Sequence, residues 1–216
     1  EMCIRDSHKI MRKIIILLTL CLTLGVAFAQ NFNQAQALKE ISAAAASIKT
    51  MQCDFAQTKS LKMLGDKMVS RGQMWCEQPN MLRWQYNTPY TYTFILNNNK
   101  VTVKKGNHSD VIDVNKNKMF KEIARIMMNS VLGKVLTDKA DFKSSVIHKS
   151  NYYIVTLIPQ KKEMKQMFTS ILLHYDTKLK LVTKVEMHEK NGDSTLIELK
   201  NIKKNTPINA SQFKIN

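Results

Sequence analysis

Apolar and polar residues alternate with a period of two along most of this 216-residue chain. Side chains of a strand point alternately to opposite faces, so each such run predicts a strand with one apolar face. Turn residues such as Asn97-Asn98-Asn99 and Asn191-Gly192-Asp193 separate the runs. The predicted strands lie near 51–59, 69–78, 81–87, 91–97, 100–105, 111–114, 142–148, 152–158, 168–175, 181–188 and 194–202, and residues 212–215 can add an edge strand.

Two stretches follow helical spacing instead. From Asn33 to Ile48 the apolar positions are Ala35, Leu38, Ile41, Ala45 and Ile48, and from Lys118 to Leu136 a second apolar series recurs in the same way. The pattern predicts a mainly β protein with helices (α+β), built on a single strongly curved antiparallel sheet. The concave apolar face of such a sheet must be covered, and the two helical stretches are the available covers.

The first three strands carry a distinctive apolar face. Phe55 and Gln57 share one side of the first strand, Met74, Cys76 and Gln78 one side of the second, and Leu82, Trp84 and Tyr86 one side of the third. Pro79 and Pro89 interrupt the runs where a sheet tolerates a missing donor. Gly72, inside the second run, indicates a bend or a close backbone approach.

The run F-x-Q, followed by G-x-M-W-x-x-x-P-N-x-x-x-W-x-Y-x-x-P up to Pro89, resembles the outer-membrane lipoprotein carrier (LolA) family. The end segment Thr206–Phe213 is similar to the closing segment of that family. The resemblance implies an unclosed barrel whose helical lid covers a hydrophobic cavity for acyl chains. The cavity residues that it implies are Phe55, Gln57, Met74, Leu82, Trp84, Tyr86, Tyr92 and Phe94, and the lid residues are Phe120, Ile123, Ile126, Met127, Val131 and Leu136.

One position departs from the family pattern. Family members carry an arginine just before the first proline of the motif, where it hydrogen-bonds the lid, and here that latch position is Gln78. A neutral amide still donates hydrogen bonds but lacks the charge-assisted strength of a guanidinium. The expectation is a weaker latch and a lower barrier to opening.

The resemblance implies a periplasmic chaperone that carries lipoproteins from the inner to the outer membrane, and no enzyme activity. Its expected partners are triacylated lipoproteins and an ATP-driven release complex of the inner membrane, with an outer-membrane acceptor or an anionic membrane surface as further candidates. A monomer without cofactor or metal is expected. The alternative is a periplasmic regulator that uses the same fold to sense lipids or mislocalised lipoproteins.

The beginning of the chain predicts a secretory signal peptide over residues 11–29. Arg12 and Lys13 are followed by an apolar stretch, and Ala27-Phe28-Ala29 fits a cleavage site after Ala29. Residues 1–10 fit no part of a signal and are interpreted as a non-native extension. The expected carrier domain then spans residues 30–216 in the periplasm.

The chain is strongly basic, with a formal net charge of +16. Loss of residues 1–29 removes four basic and two acidic residues and leaves +14. Such an excess favours anionic partners. No zinc finger, helix-turn-helix or aromatic RNA-binding motif accompanies it, so no nucleic-acid role is expected.

Two cysteines remain after the predicted cleavage, Cys53 and Cys76. A hairpin centred near Leu64-Gly65 would place them opposite each other. A cross-strand disulfide, which the periplasm permits, and two buried free thiols remain open as alternatives.

No catalytic constellation is present in the sequence. The histidines are dispersed, and the nearest suggestive pair, His174 with Asp176, fits a surface histidine at a strand end better than a general base. Neither a Gly-x-Ser-x-Gly elbow nor a His-Glu-x-x-His motif occurs.

Overall fold

The computed structural model describes residues 32–113, 128–129 and 141–214. Asn33–Asn216 forms one compact unit. The predicted extension 1–10, the predicted signal segment 11–29 and all six predicted lid residues lie outside the described residues. Nothing in the fold therefore tests those three predictions.

The described elements are two α-helices, eleven strands and a short 3-10 helix. The helices are α1 (Gln34–Ser47) and α2 (Lys162–Met167), and the 3-10 helix is Ala210–Phe213. The strands are β1 (Thr50–Leu61), β2 (Asp66–Glu77), β3 (Met81–Thr88), β4 (Tyr92–Asn97), β5 (Lys100–Lys105), β6 (His108–Asp113), β7 (Phe142–Lys149), β8 (Tyr152–Pro159), β9 (Phe168–Asp176), β10 (Leu181–Glu189) and β11 (Ser194–Lys204).

All eleven strands form one antiparallel sheet in the order β6-β5-β4-β3-β2-β1-β11-β10-β9-β8-β7. Its two edges are β6 and β7, which are not paired with each other, so the sheet is not closed. The predicted mainly β fold with a single antiparallel sheet is confirmed. Every predicted strand from the first to the eleventh is present, with ends that differ by at most a few residues.

Helix α1 begins where the sequence predicts it. Asn33 caps the helix by accepting a hydrogen bond from the backbone N–H of Gln36 at 3.1 Å. Its buried face consists of Ala37, Ile41 and Ala45, four residues apart. Ala35 was expected on that face but is exposed, because the buried stripe begins two residues later.

The apolar residues form two core clusters. The first cluster lies mostly on β1–β5 and β11, and Ile48, Met128 and Leu181 of β10 join it. Its members are Ile48, Met51, Cys53, Phe55, Met74, Cys76, Leu82, Trp84, Phe94, Leu96, Val101, Met128, Leu181 and Leu199. The second lies between α1, α2 and β7–β10: Ala37, Ile41, Phe142, Val146, Val155, Leu157, Met164, Ile171, Leu173, Tyr175, Val182 and Val185. Helix α1 thus covers the β7–β10 half of the sheet.

The end segment corrects one prediction. Residues 212–215 were expected to add an edge strand, but Ala210–Phe213 is a 3-10 helix. Asn209 caps it by accepting from the backbone N–H of Ser211 at 2.9 Å, and the buried Phe213 anchors it. It packs against β3 and β4, which already have strands on both sides and offer no free edge.

Arg83 holds this end segment in place. Its Nη1 donates to the carbonyl oxygens of Gln212 at 3.1 Å and Lys214 at 3.3 Å. Because Arg83 is an odd-numbered residue of β3, it lies on the face opposite Leu82 and Trp84. Arg83 therefore contacts the end segment and not the apolar face of the sheet.

Helix α2 is missing from the sequence-based prediction. Only six residues long, it connects β8 to β9 and buries Met164. A helix this short gives too few turns for a 3.6-residue period to emerge from sequence.

Gly72 is the close approach that the sequence indicates. A Cβ atom here would lie 1.8 Å from the carbonyl oxygen of Gln85 and 2.7 Å from Cζ of Phe55. The β2–β3 pairing shifts register between Arg71 and Gly72, which marks a bulge at this point. No side chain larger than hydrogen fits unless the backbone moves.

We therefore expect Gly72→Ala to destabilise the fold by about 3 kcal/mol, since overpacking against backbone cannot be relieved by a rotamer change. Urea unfolding followed by circular dichroism measures the effect. Ser70→Ala, two residues away on the same strand, is the matched control and should cost less than about 1 kcal/mol. Equal stability of Gly72→Ala and the control would contradict the close approach.

Candidate functional site

A row of aromatic rings crosses β1, β3 and β4 on the apolar face of the sheet. The Phe55 ring lies 4.4 Å from Trp84 and 5.1 Å from Tyr86, centroid to centroid, the latter edge to face. Tyr86 is 5.9 Å from Tyr92. Such tilted and edge-to-face contacts stabilise aromatic pairs beyond the area that they bury.

Gly72 makes this row possible. It lies on β2 between Phe55 of β1 and Tyr86 of β3, and it is the pairing partner of both. Because Gly72 has no side chain, the Phe55 ring can lie over the backbone of β2 and reach the rings of β3. We call Phe55, Trp84, Tyr86 and Tyr92 the aromatic row.

All eight predicted cavity residues lie on this face. Phe55, Met74, Leu82, Trp84 and Phe94 are buried in the first cluster, and Tyr86 and Tyr92 pack against it half-buried. Gln57 is half-buried and accepts a hydrogen bond from the Tyr86 hydroxyl at 2.9 Å. The pairing of the strands therefore brings the residues together, while their role in lining a cavity stays a prediction.

Two polar groups of the row differ in how they are satisfied. Burial raises the pKa of Tyr86, whose hydroxyl is bonded to Gln57. The indole nitrogen of Trp84, a residue only 4% exposed, is buried and has no well-aligned acceptor among the described residues, although its N–H approaches the Tyr86 hydroxyl closely enough to lower the pKa of Tyr86. A buried unpaired donor costs about 1–3 kcal/mol, so an acceptor placed beside this N–H would be stabilised.

The two cysteines are not joined in a disulfide and do not lie directly opposite each other. Cys53 pairs with Met74, and Cys76 pairs with Met51, so the expected facing pair is wrong by two residues. The hairpin turn is centred one residue earlier than Leu64-Gly65, and this displaces the β2 partner of every β1 residue by two positions. Sγ of Cys76 instead lies 3.8 Å from Sδ of Met128.

Burial raises the pKa of the Cys53 thiol to about 12, with the nearby Asp54 carboxylate adding to the effect. The thiol therefore stays protonated in the fold above pH 9, where the same group ionises in the unfolded chain. Stability contributed by the protonated thiol is present below pH 9 and is lost as the pH rises from 9 towards 12.

Gln78 lies at the junction between β2 and the end of α1. Its side-chain Nε2 donates to the carbonyl oxygen of Ile48, and its backbone N–H donates to the carbonyl of Lys49 at 2.9 Å. Ile48 is the residue that follows α1 and is itself part of the first cluster. The predicted latch position is thus bonded to the residues that directly follow α1, and the predicted lid residues lie outside the described residues.

His174, which the sequence suggests as a partner of Asp176, pairs instead with Glu186. Nε2 of His174 lies 2.8 Å from a carboxylate oxygen of Glu186, while Asp176 accepts from the backbone N–H groups of Lys178 and Leu179 at 2.9 Å. Burial lowers the pKa of His174, although Glu186 acts in the opposite direction. Across residues 32–113, 128–129 and 141–214, no three metal-binding side chains are grouped to hold an ion.

A cavity of about 650 Å³ lies away from the aromatic row, at the junction of α2, β9 and β10. Met167, Phe168, Met187, Glu189 and Lys190 contribute to its walls. Sequence reasoning missed it because its walls depend on α2, which was not predicted.

Within the described part of the chain, no helix is both long and apolar enough to cross a membrane.

Comparison with protein families matches residues 46–216 to outer membrane lipoprotein carrier protein LolA. The comparison with curated proteins gave no match.

Among solved structures, the chain is similar to the LolA superfamily protein NE2245 from Nitrosomonas europaea, with 10% identity and a TM-score of 0.48 over 85% of this chain and 99% of that one. It is similar to MucB, with 10% identity and a TM-score of 0.50 over 85% of this chain and 62% of that one. The lipoprotein LppX of Mycobacterium tuberculosis has 11% identity and a TM-score of 0.42, over 82% and 99% of the two chains. At such identities, similarity to these structures concerns the fold alone.

The buried thiols give a direct test of the closed first cluster. We expect Cys53 and Cys76 to resist alkylation at pH 8 in the folded chain and to react fully in urea, because both side chains are buried away from the reagent. Burial also raises the pKa of the Cys53 thiol, which suppresses its reactive thiolate. Mass spectrometry of labelled peptides reads each cysteine separately. Rapid labelling of the folded chain, or a disulfide between the two under mild oxidation, would contradict the described arrangement.

Proposed function

The chain belongs to the outer membrane lipoprotein carrier protein LolA family, and on that basis we propose that it carries lipoproteins through the periplasm with their acyl chains against the aromatic row. The observation that carries the proposal is this buried row, which crosses three strands on the apolar face of an open sheet. The family membership supports the cargo class, and the row supports the place where the cargo would bind.

The physical need for such a carrier follows from the cost of exposing lipid tails to water. Burying each methylene is worth roughly 0.8 kcal/mol. A protein-bound acyl chain therefore moves between two sheltered states, membrane and carrier, without being exposed. No covalent bond has to form or break on the carrier.

The composition of the face suits a guest of irregular shape. Met51 and Met74 are both buried beside the aromatic row, and Met128 joins them from the segment between β6 and β7. Methionine side chains are unbranched and flexible, so they can repack when a ligand enters or leaves. Aromatic rings supply the more rigid part of the same surface.

The buried indole N–H of Trp84 adds a polar group to this apolar surface. The acyl chains of a triacylated lipoprotein are joined through ester and amide groups, whose carbonyl oxygens accept hydrogen bonds. A carbonyl placed beside Trp84 Nε1 would satisfy a buried donor that lacks a well-aligned acceptor among the described residues. This contact would favour an acyl ester over a plain hydrocarbon.

By the same family membership, we propose that an ATP-driven complex of the inner membrane loads the carrier. An outer-membrane acceptor, or the outer membrane itself, would receive the cargo. The predicted lid over residues 118–136 would cover the bound chains, and Gln78 would control how readily α1 gives way at Ile48.

The proposal is tested by titrating the protein with a synthetic triacylated lipopeptide. The chain has two tryptophans, and Trp75, an odd-numbered residue of β2, lies on the opposite face beneath Arg83. In a Trp75→Phe variant, the fluorescence of Trp84 should change on binding. In the matched Trp84→Phe variant, the fluorescence of Trp75 should not, and the affinity should fall about two- to tenfold because one hydrogen bond is lost.

A response of Trp75 alone, or no saturable binding, would refute the proposed site. Co-purification distinguishes the functional classes: a carrier retains an acylated protein in a one-to-one complex, whereas the sensing regulator would retain free lipid.

Position 78 should set the rate of release. Gln78→Arg strengthens the bond to the Ile48 carbonyl, because a charged donor makes a stronger hydrogen bond than an amide. We expect lipopeptide release, followed by stopped-flow fluorescence, to slow by about threefold to tenfold. Gln78→Asn, whose amide is one methylene shorter, should release faster. Identical rates for the three proteins would exclude a latch at this position.

A further inference from the structure

The β1–β2 hairpin projects beyond the neighbouring strand. The pairing of β2 with β3 ends at Arg71 and Thr88, whereas β2 itself begins at Asp66. Five residues of β2 and the turn that precedes them therefore extend past β3, by roughly 17 Å at the rise of an extended strand. On the other side, β1 is paired with β11 as far as Ser60 and Ser194.

The tip of this hairpin is apolar and exposed. Met63 is 94% exposed and Leu64 is 75% exposed, and on the adjoining part of β2 Met68 is 48% and Val69 is 43% exposed. We call these four residues the tip patch. Met68 and Val69 point to opposite faces of β2, so apolar side chains surround the projecting hairpin on both sides.

Lysines flank the tip patch. Lys62 and Lys67 are exposed on either side of the turn. Lys190 lies exposed in the β10–β11 connection, which reaches the hairpin through a hydrogen bond from the Lys62 N–H to Asp193 at 2.9 Å.

The acidic groups nearby are mostly engaged or buried. Asp193 is buried and also accepts from Asn191, and Glu189 forms a salt bridge with Lys59 at 3.3 Å. Asp66 is exposed and accepts from the backbone N–H of Lys67. Exposed charge around the patch is therefore predominantly positive, in a chain whose formal net charge is +16.

A further apolar group continues the surface from the same end of the sheet. Met167, at the end of α2, is 38% exposed, and its carbonyl accepts a hydrogen bond from the Lys190 N–H at 2.9 Å. The hairpin, the β10–β11 connection and α2 are thus linked by contacts. Their exposed surface combines apolar tips with lysines.

We propose that the tip patch inserts into the surface of an anionic lipid bilayer. Methionine and leucine at a projecting tip can enter the acyl boundary while the flanking lysines stay at the level of the phosphates. A projecting tip can insert into a soft, planar layer, whereas a groove cannot. The positive charge of the flanking lysines favours anionic headgroups. This inference does not rest on the proposed cargo, since binding to a bilayer requires no lipoprotein.

The full chain is tested by sedimentation with vesicles of phosphatidylglycerol and phosphatidylethanolamine, and with vesicles of phosphatidylcholine alone. We expect binding to the anionic vesicles, weakened by salt, and little binding to the neutral ones. The double variant Met63→Ser/Leu64→Ser should lower the affinity about tenfold or more, because two apolar side chains no longer leave water. The matched control is Leu179→Ser, which removes an exposed leucine in the β9–β10 turn at the other end of the sheet and should leave binding unchanged.

The depth to which a side chain enters the bilayer is measured with brominated lipids, which quench the fluorescence of a tryptophan inside the bilayer. Leu64→Trp should be quenched, whereas Leu179→Trp should behave like the wild type. Both positions are exposed, so unchanged unfolding temperatures are expected and verify that the variants fold. Three results would overturn the proposal: no binding to vesicles, full affinity in the double variant, or equal quenching at positions 64 and 179. The partner of the tip patch would then be a protein.

Discussion

An antiparallel sheet that does not close exposes one apolar face along its whole width, and the rest of this fold follows from the need to cover it. Helix α1 meets that need over β7–β10, where Ala37 and Ile41 pack into the second cluster. Over β1–β5 the face is richer in aromatic residues and methionine, and its described cover includes Ile48 and Met128. The two halves of the sheet therefore differ in what covers them, although all eleven strands belong to one hydrogen-bonded sheet.

Gly72 links this constraint to the proposed site. Where β1 and β3 flank β2, a side chain at this position would separate Phe55 from Trp84 and Tyr86. Its absence allows rings from non-adjacent strands to meet, which turns separate apolar strands into one aromatic surface.

The two ends of the sheet differ in the contacts that their residues make. At the end where β2 meets β3, Gln78 bonds to the end of α1, and Arg83 and Asn209 hold the closing segment on the opposite face. At the other end, the β1–β2 hairpin projects with exposed methionine and leucine. Opening near α1 and contact with a membrane at the hairpin tip would thus involve separate parts of the chain.

Alternation with a period of two and the intervening turn residues were enough to predict the strands, and helical spacing was enough to predict α1, because both depend on near neighbours in the chain. The face shared by Phe55, Leu82 and Trp84 followed from the same local rule. Sequence could not set the partners of Cys53 and Cys76, because a turn centre displaced by one residue moves each partner by two. Nor could it place Phe213, whose 3-10 helix depends on packing against β3 and β4, or show that β3 stops short of the hairpin tip. Those features depend on contacts between distant segments, so tertiary structure decided them.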